Sequence, residues 1–216
     1  ADRALHHAQS MARSDEGALK AQLNRRLAWL AVQEDAGERP GQTYAEIDAL
    51  ADRLLLLNPD WLPAIADKLT VLWRRGDFEL RKGKDPSSTL GQGMAILARA
   101  EKLPGAGLRL HRDRANLQRV MAEVRFWKGD DPTACLEATM RSGREDEFTA
   151  DLRWVIARWQ RIRGIDPIPQ LDRALKNLER PSFQNRDEYG WAGRHSQTWR
   201  IRAYWALEQE GSPEQA

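Results

Sequence analysis

A short phrase that ends in proline recurs along this chain of 216 residues. Successive copies of the proline are separated by 46, 46, 35 and 46 residues. Four copies have the form glycine, two residues, proline, and the fifth is eroded. The copies are Gly37–Pro40, Gly83–Pro86, Gly129–Pro132, Gly164–Pro167 and Glu210–Pro213. A repeat of this length is typical of solenoids of stacked helical hairpins, which present extended surfaces that bind other molecules.

Each residue of the phrase suits a corner between two helices. Glycine adopts the left-handed conformation that ends a helix. Asp85, Asp131 and Asp166 can accept hydrogen bonds from the first N–H groups of the next helix. Proline fits the first helical position, because the donor that it lacks has no partner there. We therefore predict corners near residues 37–40, 83–86, 129–132 and 164–167.

Apolar residues keep the same distance from the corner proline in every copy. Eight residues before the proline, the side chain is always large and apolar: Val32, Phe78, Val124, Trp159 and Trp205. Further columns twelve and fifteen residues before the proline are mostly apolar and complete one helical stripe. The residues ten positions before the proline are mostly small, which would let neighbouring helices approach closely. Both helices of each pair are therefore predicted to have a buried side.

These columns predict an all-α protein of paired helices. The pairs are 14–36 with 41–57, 61–82 with 87–103, 108–128 with 132–142 and 146–163 with 167–180, followed by a helix at 188–209. The third pair is 11 residues short, so its second helix should be stunted. Residues 1–12 are predicted to end an upstream repeat, 13–210 to form a repeat domain of about four and a half pairs, and 211–216 to be a tail.

Composition agrees with a soluble helical protein, since 41% of residues are hydrophobic and 31% are charged. No apolar run approaches the ~20 residues of a membrane span, so we predict no membrane contact. Cys135 is the one cysteine, which favours a reducing compartment and a cytoplasmic protein. The 34 basic and 32 acidic residues leave a net charge of +2. This balance does not favour nucleic acid, which usually requires clustered cations.

The sequence contains an apparent catalytic motif, but a residue that its chemistry requires is missing. His111-Arg112-Asp113 imitates a kinase catalytic loop, but the asparagine expected five residues later is Gln118. The four histidines lack the spacing of metal ligands. We predict no active site, no metal and no cofactor, and we interpret the start of the helix at His111 as solvated.

The paired helices resemble tetratricopeptide repeats. The resemblance rests on the small residue seven positions before the corner glycine (Gly76, Ala122, Ala157) and on Asn58-Pro59 after a leucine-rich second helix. The Gly-x-Asp-Pro corner followed by Leu171–Leu175 is similar to the repeat arrays that trail the catalytic domain of bacterial serine/threonine protein kinases. The resemblance implies a right-handed superhelical solenoid. It also implies that the chain is a fragment of a larger signalling protein with a kinase domain.

In that family the first helix of each pair lines a groove. By resemblance, the candidate groove residues here are Asn24, Thr70, Trp73, Asp77, Arg81, Asn116, Arg119, Glu123, Trp127, Trp154, Arg158, Arg161, Arg200 and Tyr204. Five stacked first helices would give a groove of roughly 40 Å, long enough for about twelve extended residues. Its arginines would prefer acidic partners. For its tryptophans, packing between helices is favoured over contact with a ligand, because large apolar residues at helical spacing usually fill interiors.

The sequence thus predicts a non-catalytic scaffold or regulatory module that binds a protein or peptide segment, which could be another domain of the same polypeptide. A nucleic-acid-binding helical repeat is the alternative, and it requires binding that weakens steeply with salt. An enzyme with a site built from distant residues is a third hypothesis, which requires a deep pocket of convergent polar groups.

Overall fold

The computed structural model describes residues 2–38, 40–140, 147–178 and 188–210. Side chains are described from residue 15 onwards, except at 35, 108, 147–148, 188–195, 197 and 210. The predicted tail at 211–216 and Arg39 of the first corner lie outside the described residues. Where the chain is described it forms helices, turns and connections without any strand, which confirms the all-α prediction.

The helices follow the predicted order. They are α1 (Asp2–Asp35), α2 (Gly41–Leu57), α3 (Leu62–Arg81), α4 (Ser87–Ala100), α5 (Ala106–Arg109), α6 (His111–Lys128), α7 (Thr133–Met140), α8 (Glu147–Ile162), α9 (Ile168–Leu178) and α10 (Glu188–Glu210). The eight-residue α7 confirms the stunted second helix of the third pair. Within the described residues, no helix has the long apolar stretch that crossing a bilayer requires.

One predicted boundary differs from the structure. Residues 2–12, expected as a separate element, continue into α1 without a break. The physical reason is that α1 contains no proline and one glycine, Gly17. An interior glycine weakens a helix by about 1 kcal/mol but does not end it. The assignment of residues 1–12 to an upstream repeat stays a prediction.

The four corners share one hydrogen-bond pattern. Gly37, Gly83, Gly129 and Gly164 have φ of 72°, 70°, 80° and 69°. At each corner the glycine N–H donates to the carbonyl three residues back, and the next N–H donates to the carbonyl five residues back, over 2.9–3.1 Å. This is the Schellman motif, which satisfies carbonyl groups at the end of a helix. The predicted role of glycine is therefore confirmed.

The aspartates of the corners cap the following helices. Oδ1 of Asp85 accepts the N–H of Ser87 at 3.0 Å, and Oδ1 of Asp131 accepts that of Thr133 at 2.8 Å. Asp166 repeats the contact with the N–H two residues on, at 2.9 Å. These bonds satisfy donors that the helix itself cannot use. Each corner thus ends one helix and starts the next within a few residues.

The chain divides into two compact units, Ala1–Asp113 and Arg114–Ala216. In unit 1, α2 packs between α1 and α3, and α3 packs on α4. Its core is aliphatic, with Leu23, Leu30, Ile47, Leu54 and Leu72 among the buried residues. In unit 2, one cluster joins α6, α7 and α8, and another joins α8, α9 and α10.

The predicted buried stripe holds in the later helices and fails in α1. Val71 on α3 and Val155 on α8 are buried, as is Ile201 on α10. In each case the preceding helix pair covers the stripe. On α1 the equivalent positions, Arg25 and Ala28, are exposed, and Val32 in the column eight residues before the proline is 55% exposed.

Replacing a corner glycine by alanine tests the left-handed conformation directly. Gly164 has φ of +69°, and no heavy atom lies within 4 Å of the place that a Cβ would take, so Gly164→Ala adds strain without a steric clash. We expect a loss of about 1–2 kcal/mol in the free energy of unfolding, measured by urea denaturation.

The matched control is Gly91→Ala. Gly91 lies inside α4 without positive φ, and a Cβ there also meets open space. Alanine favours a helix over glycine by up to about 1 kcal/mol, so this variant should be as stable as the parent or more stable. If the two substitutions change stability in the same direction, the assigned role of the corner is wrong.

Candidate binding face

The first helices of unit 2 are α6, α8 and α10, and side chains of neighbouring first helices meet. Glu123 and Arg158 each lie nine residues before their corner proline. Arg158 Nη1 lies 3.4 Å from Glu123 Oε1. The same guanidinium lies 4.8 Å from the ring centroid of Phe126 and 5.2 Å from that of Trp154. Arg158 on α8 therefore contacts α6 through the carboxylate of Glu123 and the ring of Phe126, whereas Trp154 lies one turn before Arg158 on α8 itself.

A second arginine ties α8 to α10. Arg161 Nη2 donates to Glu208 Oε1 at 2.6 Å, and Nε donates to Oε2 at 3.1 Å. Its guanidinium lies 5.2 Å from the ring centroid of Tyr204. The hydrogen bond with Glu208 raises the pKa of Arg161, and the bond from Arg161 lowers the pKa of Glu208. Both pKa shifts favour the charged forms of Arg161 and Glu208, and the net charge of the pair is zero.

Large apolar side chains stand exposed beside these ion pairs. Trp127 is 67% exposed and Ile162 is 71% exposed, and both lie five residues before a corner proline. On α10, Leu207 is 63% exposed and Tyr204 is 48% exposed. We call this surface the first-helix face of unit 2. It consists of Glu123, Phe126, Trp127, Trp154, Arg158, Arg161, Ile162, Tyr204, Leu207 and Glu208.

The predicted groove positions of unit 1 make a polar cluster that includes Asp113. The hydroxyl of Thr70 donates to Asp113 Oδ1 at 2.8 Å, and Trp73 Nε1 donates to the same oxygen at 3.3 Å. The side chain of Asp113 is 1% exposed. Its burial raises the pKa of the carboxyl group, and the charge of Arg112 with these hydrogen bonds opposes part of that rise. Thr70 and Trp73 therefore serve packing within unit 1, in addition to their predicted place in a groove.

The segment from His111 to Asp113 corrects one interpretation. His111, expected at a solvated helix start, is buried, and so is Asp113, while Arg112 between them is exposed. The reason is that Asp113 turns towards Thr70 and Trp73 on α3, so these residues pack inside unit 1. The motif serves packing within the fold.

The remaining candidate residues occupy varied environments. Asp77 and Arg81 pair with each other one turn apart on α3, with 3.1 Å between their charged atoms. Asn24 on α1 and Arg200 on α10 are exposed, whereas Asn116 and Arg119 on α6 are half-buried. The structure also places several tryptophans: Trp61, Trp73, Trp154, Trp159 and Trp205 are half-buried, while Trp29, Trp127 and Trp199 are exposed.

Sequence reasoning missed the aspartates of unit 1 that reach back to the preceding first helix. Asp67 pairs with Lys20 of α1, and Asp113 bonds to Thr70 and Trp73 of α3. Burial raises the pKa of Asp67 as it does that of Asp113. The two aspartates are 46 residues apart, which is one repeat period, and both lie nineteen residues before a corner proline, which is the one sequence signal that links them.

Polar pairs inside the hairpins follow the same period. Thr43 donates to Gln33 Oε1 at 2.6 Å, and Thr89 donates to Glu79 Oε2 at 2.8 Å. In both hairpins the acceptor lies seven residues before the proline and the threonine three residues after it. The repeat thus extends to contacts that bridge each corner.

Comparison with protein-family models, with curated proteins and with solved structures finds no match to this chain. The resemblance to tetratricopeptide repeats therefore rests on the repeated corner and the pairing of helices. Among the described residues, no group of three or more histidine, cysteine, aspartate or glutamate side chains could hold a metal ion.

Two substitutions of Asp113 distinguish the effect of its charge on stability from the effect of its hydrogen bonds. Asp113→Ala leaves the Thr70 hydroxyl and the Trp73 N–H without this acceptor, so we expect a loss of about 1–3 kcal/mol in the free energy of unfolding at pH 7. Asp113→Asn keeps an acceptor oxygen and removes the buried charge, so its loss should be smaller.

The free energies of unfolding of the parent and of Asp113→Asn should also depend differently on pH. The pKa of Asp113 is raised in the folded protein, so the folded state holds this proton more tightly than the unfolded state. The resulting stabilisation is complete when the pH is below 3.8, the usual pKa of the carboxyl group, and it is lost as the pH rises through the raised pKa. The stability of the parent relative to Asp113→Asn should therefore fall as pH rises from about 4 to about 7. A relative stability that rises over this range in urea titrations would contradict the assignment.

Proposed function

We propose that this chain is a protein-interaction module, without catalysis of its own, that binds a peptide segment along its first helices. The observation that carries the proposal is the direct contact between side chains of neighbouring first helices, α6 with α8 and α8 with α10. Glu123 meets Arg158, and Arg161 meets Glu208 and Tyr204. First helices that touch one after another make one continuous surface, which is how helical repeats present a binding site.

The composition of this surface supports binding. Trp127, Ile162 and Leu207 are all more exposed than buried, with Ile162 the most exposed of the three at 71%. Exposed apolar groups next to tryptophan, tyrosine and arginine side chains are typical of interaction sites. The half-buried Trp154 and Phe126, by contrast, support the surface from below through Arg158. The proposal therefore assigns contact with a partner to the exposed residues and structural support to the stacked ones.

Two finer points belong to the same proposal. The period of the corners and the resemblance to tetratricopeptide repeats favour a right-handed superhelical stack of the hairpins. The corner motif, similar to arrays in bacterial serine/threonine kinases, favours a regulatory role in a larger signalling protein, where the partner is another protein or a kinase domain.

Selection of peptides from a random twelve-residue display library tests the proposal. We expect the purified chain to enrich peptides whose binding falls at least about tenfold in Trp127→Ala and in Tyr204→Ala, because tryptophan and tyrosine at binding hot spots contribute about 2 kcal/mol or more each. Affinity would be measured by fluorescence anisotropy with labelled peptides.

The matched control is Trp199→Ala, which removes a tryptophan of similar exposure from α10 at a position outside the candidate columns. Binding to this variant should equal binding to the parent. The proposal is wrong if no peptide is enriched, or if enriched peptides lose affinity for Trp199→Ala and not for the other two variants.

A further inference from the structure

One face of α1 is exposed, whereas the equivalent face of α3 is buried. Positions on the two helices correspond across the 46-residue repeat. On α3, Ala64, Lys68 and Val71 are at most 6% exposed. Their equivalents on α1 are all exposed, and they are Ala18, Gln22 and Arg25. The same surface of the repeat is therefore covered on α3 and open on α1.

The element that covers this face of α3 is α2, the second helix of the preceding pair. α2 packs against α3, and Ile47, Ala51 and Leu54 of α2 lie in one buried cluster with Ala64 and Val71 of α3. Residues three and four apart share a helix face, so α2 covers α3 with a single apolar stripe.

Charge is also matched across this contact. Lys68 Nζ lies 2.6 Å from Asp48 Oδ1 and 2.8 Å from Asp52 Oδ1, both on α2. The lysine is buried, so these carboxylates balance a charge that would otherwise be costly to remove from water. On α1 the equivalent residue is Gln22, which is neutral. Two carboxylates placed there would meet an amide in place of an ammonium group.

Unit 2 contains the same kind of contact. α7 packs on α8, and α9 packs on α10. Leu136 of α7 shares a buried cluster with Leu152 and Val155 of α8. Leu171 of α9 shares another with Ile201 of α10. At these three junctions, the face of a first helix is occupied by the second helix of the preceding pair.

The open side of α1 carries apolar groups, unlike the polar outer face that usually closes a helical repeat. Val32 is 55% exposed. Its equivalent on α3 is Phe78, which packs on Tyr44 of α2 with 5.9 Å between the ring centroids. The open face therefore offers an apolar contact that α2 uses on α3.

A groove of about 490 Å³ adjoins this side of α1. Its lining includes Ala18 and Gln22 of α1 and Leu56 and Leu57 at the end of α2. Leu56 is 82% exposed and Leu57 is 52% exposed. The next repeat has Lys102 at the position of Leu56, so an apolar side chain stands here where the following pair has a charged one. Exposed apolar groups beside a groove are typical of interaction sites.

The turn that brings α2 to α3 has no counterpart at the start of the open face of α1. α3 begins at Leu62, after a turn in which the Trp61 N–H donates to the Asn58 carbonyl. The position equivalent to Leu62 is Glu16, where α1 is already helical and continues back to Asp2. A helix placed on α1 as α2 is placed on α3 therefore cannot arrive through such a turn.

We propose that the open face of α1 and the adjoining groove bind an amphipathic helix of a partner protein, which covers α1 as α2 covers α3. The partner helix is uncharged where α2 has Asp48 and Asp52. Its apolar side chains have the spacing of the buried side of α2, which is Tyr44, Ile47, Ala51 and Leu54. The site lies in unit 1 and goes beyond the peptide-binding face proposed in unit 2.

Labelled 17-residue peptides based on α2 test the inference by fluorescence anisotropy. The first peptide has the sequence of α2, and the second carries Asp48→Asn and Asp52→Asn. We expect the second to bind the chain at least about fivefold more tightly, because Gln22 offers no charge to carboxylates that lose water. A third peptide adds Ile47→Asn and Leu54→Asn to the second, and without the apolar stripe it should bind at least about tenfold more weakly than the second.

Two variants of the chain locate the site. In Gln22→Lys the first peptide should become the tighter ligand, because the new ammonium group reproduces the contacts of Lys68. Leu56→Lys introduces the residue of the next repeat and should weaken the second peptide at least about fivefold, because an apolar wall is lost. The matched control is Leu207→Lys, at a leucine of unit 2 that is 63% exposed, and it should leave the affinity unchanged.

Three results would overturn the inference. The first is binding of the second peptide that neither Gln22→Lys nor Leu56→Lys changes, and the second is absence of binding by either charged or neutral peptide. The third is a dimer in sedimentation that Leu56→Lys dissociates, which assigns the groove to a second copy of the chain. None of these results bears on the peptide-binding face of unit 2, which Trp127→Ala and Tyr204→Ala test separately.

Discussion

The left-handed glycine at each corner is the constraint on which the rest of the structure depends. Without positive φ at this residue the chain cannot form the pair of hydrogen bonds that closes the helix, and the next helix would leave in another direction. The aspartate two residues later, where the corner has one, then fixes the start of that helix through its N–H groups. The same φ and the same pair of hydrogen bonds recur at four corners.

Side chains on neighbouring helices of the repeat can therefore contact each other. Small residues between the two helices of a pair permit close packing: a Cβ on Gly76 would lie 2.8 Å from Leu90, and Ala122 and Ala157 take the same place in later pairs. In unit 2 the first helices lie close enough for Arg158 to reach Glu123 and for Arg161 to reach Glu208. The proposed function depends on these contacts between neighbouring first helices more than on any single residue.

Much of the fold follows from sequence because its signals are local and repeated. A glycine before a proline, with apolar columns at fixed distances, determines where a helix ends and which side it buries. The length of α1 was harder to predict from the sequence, because a proline marks where a helix ends, whereas the absence of a proline does not show how far a helix continues. The exposure of Val32 was also missed, because its side chain is as apolar as those of its column in the later repeats, where Val124 is buried and Phe78, Trp159 and Trp205 are half-buried.

The chemistry of the candidate face could be predicted only in part. The columns identified Glu123, Arg158 and Arg161, but which arginine meets which carboxylate depends on the lateral offset between helices, and no local pattern encodes that offset. The buried Asp113 escaped notice because an aspartate in a first turn usually faces solvent, where it favours the helix dipole.

The stacking of Arg158 on Phe126 and Trp154 tests the continuous face most directly. The side-chain protons of Arg158, assigned by their loss in Arg158→Lys, should show ring-current shifts to high field in NMR spectra. They should also show nuclear Overhauser contacts with the ring protons of Phe126, since the guanidinium lies 4.8 Å from the ring centroid. Shifts equal to those of an unfolded arginine, with no contact to Phe126, would contradict a shared surface between α6 and α8.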